Sequence, residues 1–252
     1  MITSIHMKWV RISVSLILIL LTGPVAVAIG GEGVTRDWRT ATRQSSGIAP
    51  KPGAHPDAVV QVYAARAFSW RGAFAVHTWI FIKPKNAKEY TVYEVMGWYA
   101  FGGGSALQIH NDEPDRYWFG AEPELLSDLR GEKATSAIQN IRAAVKAYPY
   151  ADTYTTWPGP NSNTFTAFVT RNVPELAVDL PPTAIGKDYL PGGSFFGKAP
   201  SGGGAQFSIL GALGVLVSAD EGIEFNILGL SFGIDPGDLA IRLPGVGKLG
   251  LR

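Results

Sequence analysis

Apolar and polar positions along the chain change period several times, and each change marks a different kind of element. From Ile12 to Gly31 no residue is charged, a run of 20 residues, and about 20 apolar residues suffice for a helix to cross a bilayer core. His6, Lys8 and Arg11 precede it with no acidic residue among them, the charge bias that keeps its own side cytoplasmic. Thr22-Gly23-Pro24 interrupts the run and predicts a break there. Ala26-Val27-Ala28 is a small-x-small sequence suited to cleavage. Residues 1–31 therefore read as a signal peptide or as a membrane anchor.

Residues 32–57 are rich in Gly, Pro, Ser and charge, which predicts a linker. Short β-branched and aromatic stretches follow at Val59–Ala64, Ala73–Ile82, Tyr90–Tyr99 and Ala106–His110, each closed by turn-forming residues. They predict a four-stranded antiparallel sheet. The period then becomes helical. Ala134, Ala137, Ile138, Ile141, Ala144, Val145 and Tyr148 recur at offsets of three, four and seven, an amphipathic helix ended by Pro149. Pro123 and Gly131 frame a shorter helix carrying Leu125, Leu126 and Leu129, and a third is expected from about Asn163 to before Pro174. Strands followed by helices give an α+β fold rather than alternating units.

Past Pro181 the alternation of strands returns, at Gln206–Val217, Gly222–Ile234 and Leu239–Leu243, with charged turns at Asp220-Glu221-Gly222 and Asp235-Pro236-Gly237-Asp238. A membrane hairpin would need longer uninterrupted apolar runs, so a β-rich extension over 181–252, packed on a core over 58–180, is expected. Its apolar alternation also suits contact with a partner.

Composition narrows the function classes. Lys and Arg total 22 against 21 for Asp and Glu, a net charge of +1, so no nucleic-acid partner is indicated. The absence of cysteine removes thiolate metal sites, cysteine nucleophiles and a lipid-attachment cysteine, and fits an oxidising exported compartment. His6, His55, His77 and His110 lack the short spacing of a metal site. Gly102–Gly104 and Gly202–Gly204 lack the Lys-Ser/Thr of a phosphate loop. No metal and no cofactor is expected. Asn111-Asp112-Glu113-Pro114-Asp115 reads as a solvated acidic loop rather than a calcium site.

Candidate chemistry gathers at two places. His77 lies within a strand and by alternation shares a face with Ala75, Trp79 and Phe81. Glu94, set among apolar residues of the next strand, is placed to meet the imidazole across the sheet. Trp157-Pro158-Gly159-Pro160 then delivers Asn161, Ser162, Asn163 and Thr164 to a helix start. There they serve as caps, or present a hydroxyl to the positive end of the helix.

These residues carry a resemblance. Val60-Gln61-Val62-Tyr63-Ala64-Ala65, Ala75-Val76-His77-Thr78-Trp79, Tyr148-Pro149-Tyr150-Ala151-Asp152, Gly159 to Phe165 and Pro181 to Tyr189 resemble a bacterial family of exported or membrane-attached proteins without an assigned function, domain-of-unknown-function family 3750. More distantly, a strand histidine followed by strands and a helix opening with Asn resembles circularly permuted papain-like proteins of the lecithin retinol acyltransferase type. That resemblance implies a permuted papain-like core with His77 as base, Thr164 at the nucleophile position and Glu94, or alternatively His110, as the third member. Thr164 stands where the family has cysteine. An alcohol is not ionised at neutral pH and needs a strong base, whereas a thiol is partly ionised.

Two readings follow from the resemblance. One is a non-catalytic module in the cell envelope, on the periplasmic side of the inner membrane, binding a lipid or cell-wall fragment through Asn161, Ser162, Asn163 and Trp79. The other is a hydrolase or acyltransferase on amide or ester bonds, with His77 activating Thr164 or Ser162. A structural envelope role is the third expectation.

Overall fold

A computed structural model describes residues 2–31, 37 and 39–251, with side chains from Met7 onward. The expected linker falls partly outside the described residues, at 32–36 and 38.

The leading helix α1 (Ile2–Gly30) is longer than the sequence break predicted, because it continues through Pro24. Proline removes one helical donor and crowds the preceding turn, but tertiary contact holds the helix here. Gly23 and Pro24 rest on the loop Pro244–Val246, where any Cβ at Gly23 would fall 2.1 Å from the Pro244 carbonyl oxygen. Gly245 returns the fit: a Cβ there would lie 2.6 Å from the Pro24 nitrogen. Thr22 Oγ1 also donates to the Ile19 carbonyl.

The central sheet has the order β4-β3-β2-β1-β5. Its strands are β1 (Val59–Arg66), β2 (Val76–Lys83), β3 (Thr91–Val95), β4 (Leu107–Asn111) and β5 (Glu124–Arg130), all antiparallel to their neighbours. β1 and β2 are buried along almost their whole length, as strands covered on both faces must be. Val60, Val62, Ile80 and Ile82 meet the helices α3 (Gly131–Ala147) and α4 (Ser162–Asn172) on one face. Tyr63, Trp79, Phe81 and Trp118 form an aromatic layer on the other.

Three elements differ from the sequence expectation. Pro123–Gly131 is not a helix: Glu124–Arg130 pairs with β1, Val60 opposite Leu129. Leu125, Leu126 and Leu129 satisfy either period, and the buried inner strand β1 needs hydrogen-bond partners on both sides, so the sheet takes the segment. Gly131, at φ +64, opens α3 instead of closing a helix. Tyr90–Tyr99 splits into β3 and the short helix α2 (Gly97–Phe101), because Gly97 packs against the Tyr154 ring with no room for a Cβ. Similarly, β2 begins at Val76, after a single tight turn over Ser69–Ala73.

The C-terminal extension is a seven-stranded antiparallel meander in sequence order. It comprises β6 (Phe196–Gly197), β7 (Ala205–Ile209), β8 (Leu213–Ser218), β9 (Gly222–Ile227), β10 (Leu230–Asp235), β11 (Ala240–Leu243) and β12 (Gly247–Leu249). The two longest expected strands are each a hairpin. Leu228 and Gly229 turn with φ of 55 and 84, the two positive values of a tight hairpin; leucine in place of Asn or Asp at the first position hides that turn in the sequence.

This meander meets the core through its polar face. Lys187 bonds Asp188 and Glu224, Arg242 bonds Asp179 and Glu224, and Asn226 donates to Asp188 Oδ2 at 2.8 Å. Burial alone pulls the Lys187 ammonium down, but Asp188 and Glu224 outweigh it and hold it above its ordinary value. Arg171 reaches the Lys187 carbonyl at 2.6 Å and Gln206 at 2.8 Å. Buried ions of this kind are costly unless each is paired, which ties the end of the core and the sheet into one unit.

Candidate functional site

A cavity of about 1130 Å³ opens where the start of β2, the end of β3 and the start of α4 converge. Its walls are chiefly aromatic: Phe68, Trp70, Trp98, Trp118, Phe119 and Trp157, joined by Ile17 and Leu21 of α1. The helix α2 places Trp98, Tyr99 and Phe101 on the rim, and Trp157 is fixed by its indole donating to the Leu228 carbonyl at 3.0 Å. The volume exceeds the several hundred Å³ usual for a small-molecule site.

One end of the cavity is charged. His77 is buried on β2 and shares the aromatic face with Trp79, as alternation predicts. Its ring lies on the Trp118 indole, with centroids 3.8 Å apart and planes 10° apart. His77 Nε2 stands 3.5 Å from Glu94 Oε2, an electrostatic approach rather than a hydrogen bond, since that nitrogen has no hydrogen-bond partner among the described residues. His110 Nε2 reaches Glu94 Oε1 at 3.6 Å, so both histidines considered from the sequence flank one carboxylate.

Sequence reasoning missed the two residues that organise this end. Arg116 Nη2 donates to both Glu94 oxygens, at 2.8 and 2.7 Å, and Nη1 lies 3.2 Å from Asp112. Trp118 supplies the surface on which His77 lies. Both belong to the loop after the acidic patch, whose alternation carries no strand or helix signal. The patch itself is not simply solvated: Asp115 is fully buried and accepts from the backbone of Ile48 and Ala49 and from the Ser45 hydroxyl. It thereby straps part of the expected linker onto the domain, as do Tyr90 to the Pro50 carbonyl and Lys83 to the His55 and Asp57 carbonyls.

The electrostatics follow from burial and neighbours. Burial pushes the His77 imidazole below its ordinary value; Glu94 pulls it up and Arg116 adds to the lowering, and the net is downward. Burial pushes the Glu94 carboxyl up, but His77, the Arg116 guanidinium and His110 outweigh it, so the carboxylate is held below its ordinary range. A neutral imidazole therefore faces an ionised carboxylate. Arg116 offsets the charge of that carboxylate by donating to both of its oxygens.

The structure does not bring His77 and Thr164 together. Thr78, not His77, turns toward α4, its hydroxyl bonding Asn163 Oδ1 at 3.0 Å and Thr166 Oγ1 at 2.9 Å. The His77 ring lies on the opposite, aromatic face. Thr164 is 1% exposed, does not line the cavity, and completes a capping box: Asn161 N donates to its hydroxyl at 3.1 Å, and that hydroxyl donates to the Gly186 carbonyl at 2.8 Å. Asn161 and Asn163 line the cavity but are engaged by Thr156, Ile185 and Val76 carbonyls. Ser162, in the first turn of α4, also lines the cavity, and its hydroxyl makes no hydrogen bond among the described residues.

A second acidic cluster, Asp179, Asp235 and Asp238, has the spacing to hold a cation. The Lys248 ammonium already sits among the three, 2.8 Å from Asp179 and 2.7 Å from Asp235.

No curated protein and no solved structure matches the chain, so the papain-like resemblance has no solved counterpart. Residues 57–189 match the model of a family described as protein of unknown function (DUF3750). The match spans more than half of the chain, from the start of β1 through the loop that carries Lys187 and Asp188, and includes His77, Glu94, Arg116, Trp118 and Ser162. The chain belongs to this family.

Proposed function

We propose that this protein is an exported, membrane-attached domain that holds a lipid-like amphiphile on the periplasmic side of the inner membrane. The cavity carries the reading. Its aromatic walls suit an acyl or prenyl chain, whose burial is worth roughly 0.8 kcal/mol per methylene, and its charged end offers His77, His110 and Arg116 to a head group. A helix long and apolar enough to cross a membrane, Met7–Gly30, contributes to the same cavity, which supports a ligand drawn from the bilayer. A soluble cell-wall fragment lacks the chain that these walls would cover.

The test is to purify the full chain and Ala75→Trp, which fills the cavity beside His77, and to identify bound small molecules by mass spectrometry. A lipid present with wild type and depleted in Ala75→Trp supports the reading. A bound sugar or peptide without an acyl chain, or equal lipid in both, contradicts it.

The open hydroxyl of Ser162 supports a second reading, hydrolysis or acyl transfer on an ester-bearing amphiphile with Ser162, rather than Thr164, as nucleophile. The α4 dipole would favour the developing oxyanion. The burial of His77 against Trp118, on the face away from α4, weighs against it. Labelling by a fluorophosphonate that is lost in Ser162→Ala would favour catalysis over binding.

A further inference from the structure

The C-terminal meander is inverted. Its strands turn Gln206, Ser208, Glu224, Asn226, Asp235 and Arg242 inward, all buried, and present Leu213, Val217, Phe225, Ile234, Ile241 and Leu249 outward, between 46% and 53% exposed. The pairings make the outward set continuous across the sheet. Val215 lies opposite both Phe207 and Phe225, Phe225 opposite Phe232, Ile234 opposite Ile241, and Ile241 opposite Leu249. No outward position on strands β6 to β12 carries a charge.

The face is broad as well as uncharged. Seven strands about 4.8 Å apart, with about five residues each at 3.4 Å, give roughly 30 by 17 Å, on the order of 500 Å². That is in the upper part of the range of the largest apolar patch on a typical monomer, about 300 to 600 Å², a patch that is often functional.

We infer that the outer face of the C-terminal sheet is a membrane-docking surface, lying on the bilayer that α1 enters. The occupant is identified by continuity. Among the described residues α1 is the one helix long and apolar enough to cross a membrane, and it is seated on the loop that joins β11 to β12, Gly23 and Pro24 against Pro244, Gly245 and Val246. Arg66 clamps the same loop, its guanidinium donating to the Val246 carbonyl at 2.9 Å. The contact falls inside the apolar span itself, so the sheet edge bearing β11 and β12 is carried to the level of the lipid. An uncharged, broad face beside that edge matches hydrocarbon and interfacial lipid. The inference rests on the proposed membrane attachment through α1 but not on whether the cavity holds a ligand, because the outward residues named here do not line it.

The chain contains no cysteine, so single-cysteine labelling is clean. Full-length Val217→Cys, Phe225→Cys and, as a control on the exposed turn after β2, Lys85→Cys are labelled with bimane. They are reconstituted in vesicles of phosphatidylethanolamine and phosphatidylglycerol, then quenched by nitroxide-bearing lipid or by aqueous iodide. The labels at Val217 and Phe225 should be quenched several-fold more by the lipid nitroxide than by iodide, and the label at Lys85 the reverse. Iodide quenching at Val217 and Phe225 equal to that at Lys85 would place the face in water and overturn the inference. Shielding from both quenchers would mean that a second copy covers the sheet, and would overturn it equally. Val217→Cys is a small change on an outward position, which keeps the test valid if Phe225→Cys fails to fold.

Discussion

The imidazole of His77 lies flat on the indole of Trp118, 3.8 Å between ring centroids, while its Nε2 faces the Glu94 carboxylate at 3.5 Å. Burial disfavours charging the ring and outweighs the pull of Glu94, so His77 titrates below its ordinary value. Glu94 is likewise held below its own. A group whose folded value is depressed stabilises the fold above its unfolded value and loses that contribution as pH falls through the folded one. Thermal stability should thus hold at neutral pH and decline once pH drops below the ordinary histidine value of 6.5. His77→Phe, which keeps the stack, should flatten the upper part of that decline; an unchanged profile would contradict the assignment.

Glu94 and Arg116 form a buried, doubly hydrogen-bonded ion pair. Removing one partner leaves the other charged and unpaired, at a cost of about 3 to 5 kcal/mol. Glu94→Ala should show that loss in urea unfolding of the detergent-solubilised protein. Adding Arg116→Met to Glu94→Ala should recover much of it, because the double change removes both charges. Equal loss in single and double variants would mean that packing, not charge, dominates.

Thr164 acts as a cap. Thr164→Val should cost about 1 to 3 kcal/mol of stability, because the buried Asn161 N–H and the Gly186 carbonyl lose their partner, Thr164→Ser should cost little, and neither should alter ligand capture by the cavity. Lost capture in a folded Thr164→Val protein would return Thr164 to the site.

The orientation of α1 has a direct readout. Alkaline phosphatase fused after Asp57 should be active, and a reporter that works only in the cytoplasm should be silent there. The reverse pattern would place the domain on the cytoplasmic side. Mass analysis of the mature protein should find the helix intact; a start at Ile29 would contradict attachment through α1.

How much of this was legible in the sequence follows the range of the forces involved. β1, β2, α3 and α4 are set by local period and by stop signals such as Pro149 and Pro174, and were readable. β5 was not, because its leucines fit both periods and the deciding partner, β1, lies 60 to 71 residues away in the chain. The hairpin at Leu228-Gly229 escaped because a leucine occupies a left-handed position. At the site, the placing of His77 and Glu94 followed from strand alternation, which fixes which residues share a face; Trp79 shares that face but does not line the cavity, being fully buried with its indole donating to the Pro114 carbonyl. Arg116 and Trp118 come from irregular backbone, where no period predicts direction. Thr164 was drawn into the site by its place after Asn163, while the hydrogen-bond demand of a helix start claimed its hydroxyl.

The proposal that the aromatic cavity holds an amphiphile is tested most directly by titrating the full chain with cis-parinaric acid, whose polyene accepts energy from nearby tryptophans. Wild type should bind saturably with energy transfer, and Ala75→Trp, which fills the space beside His77, should weaken binding about tenfold or more, or 1.4 kcal/mol. Non-saturable uptake, or the same affinity in wild type and Ala75→Trp, would contradict the account.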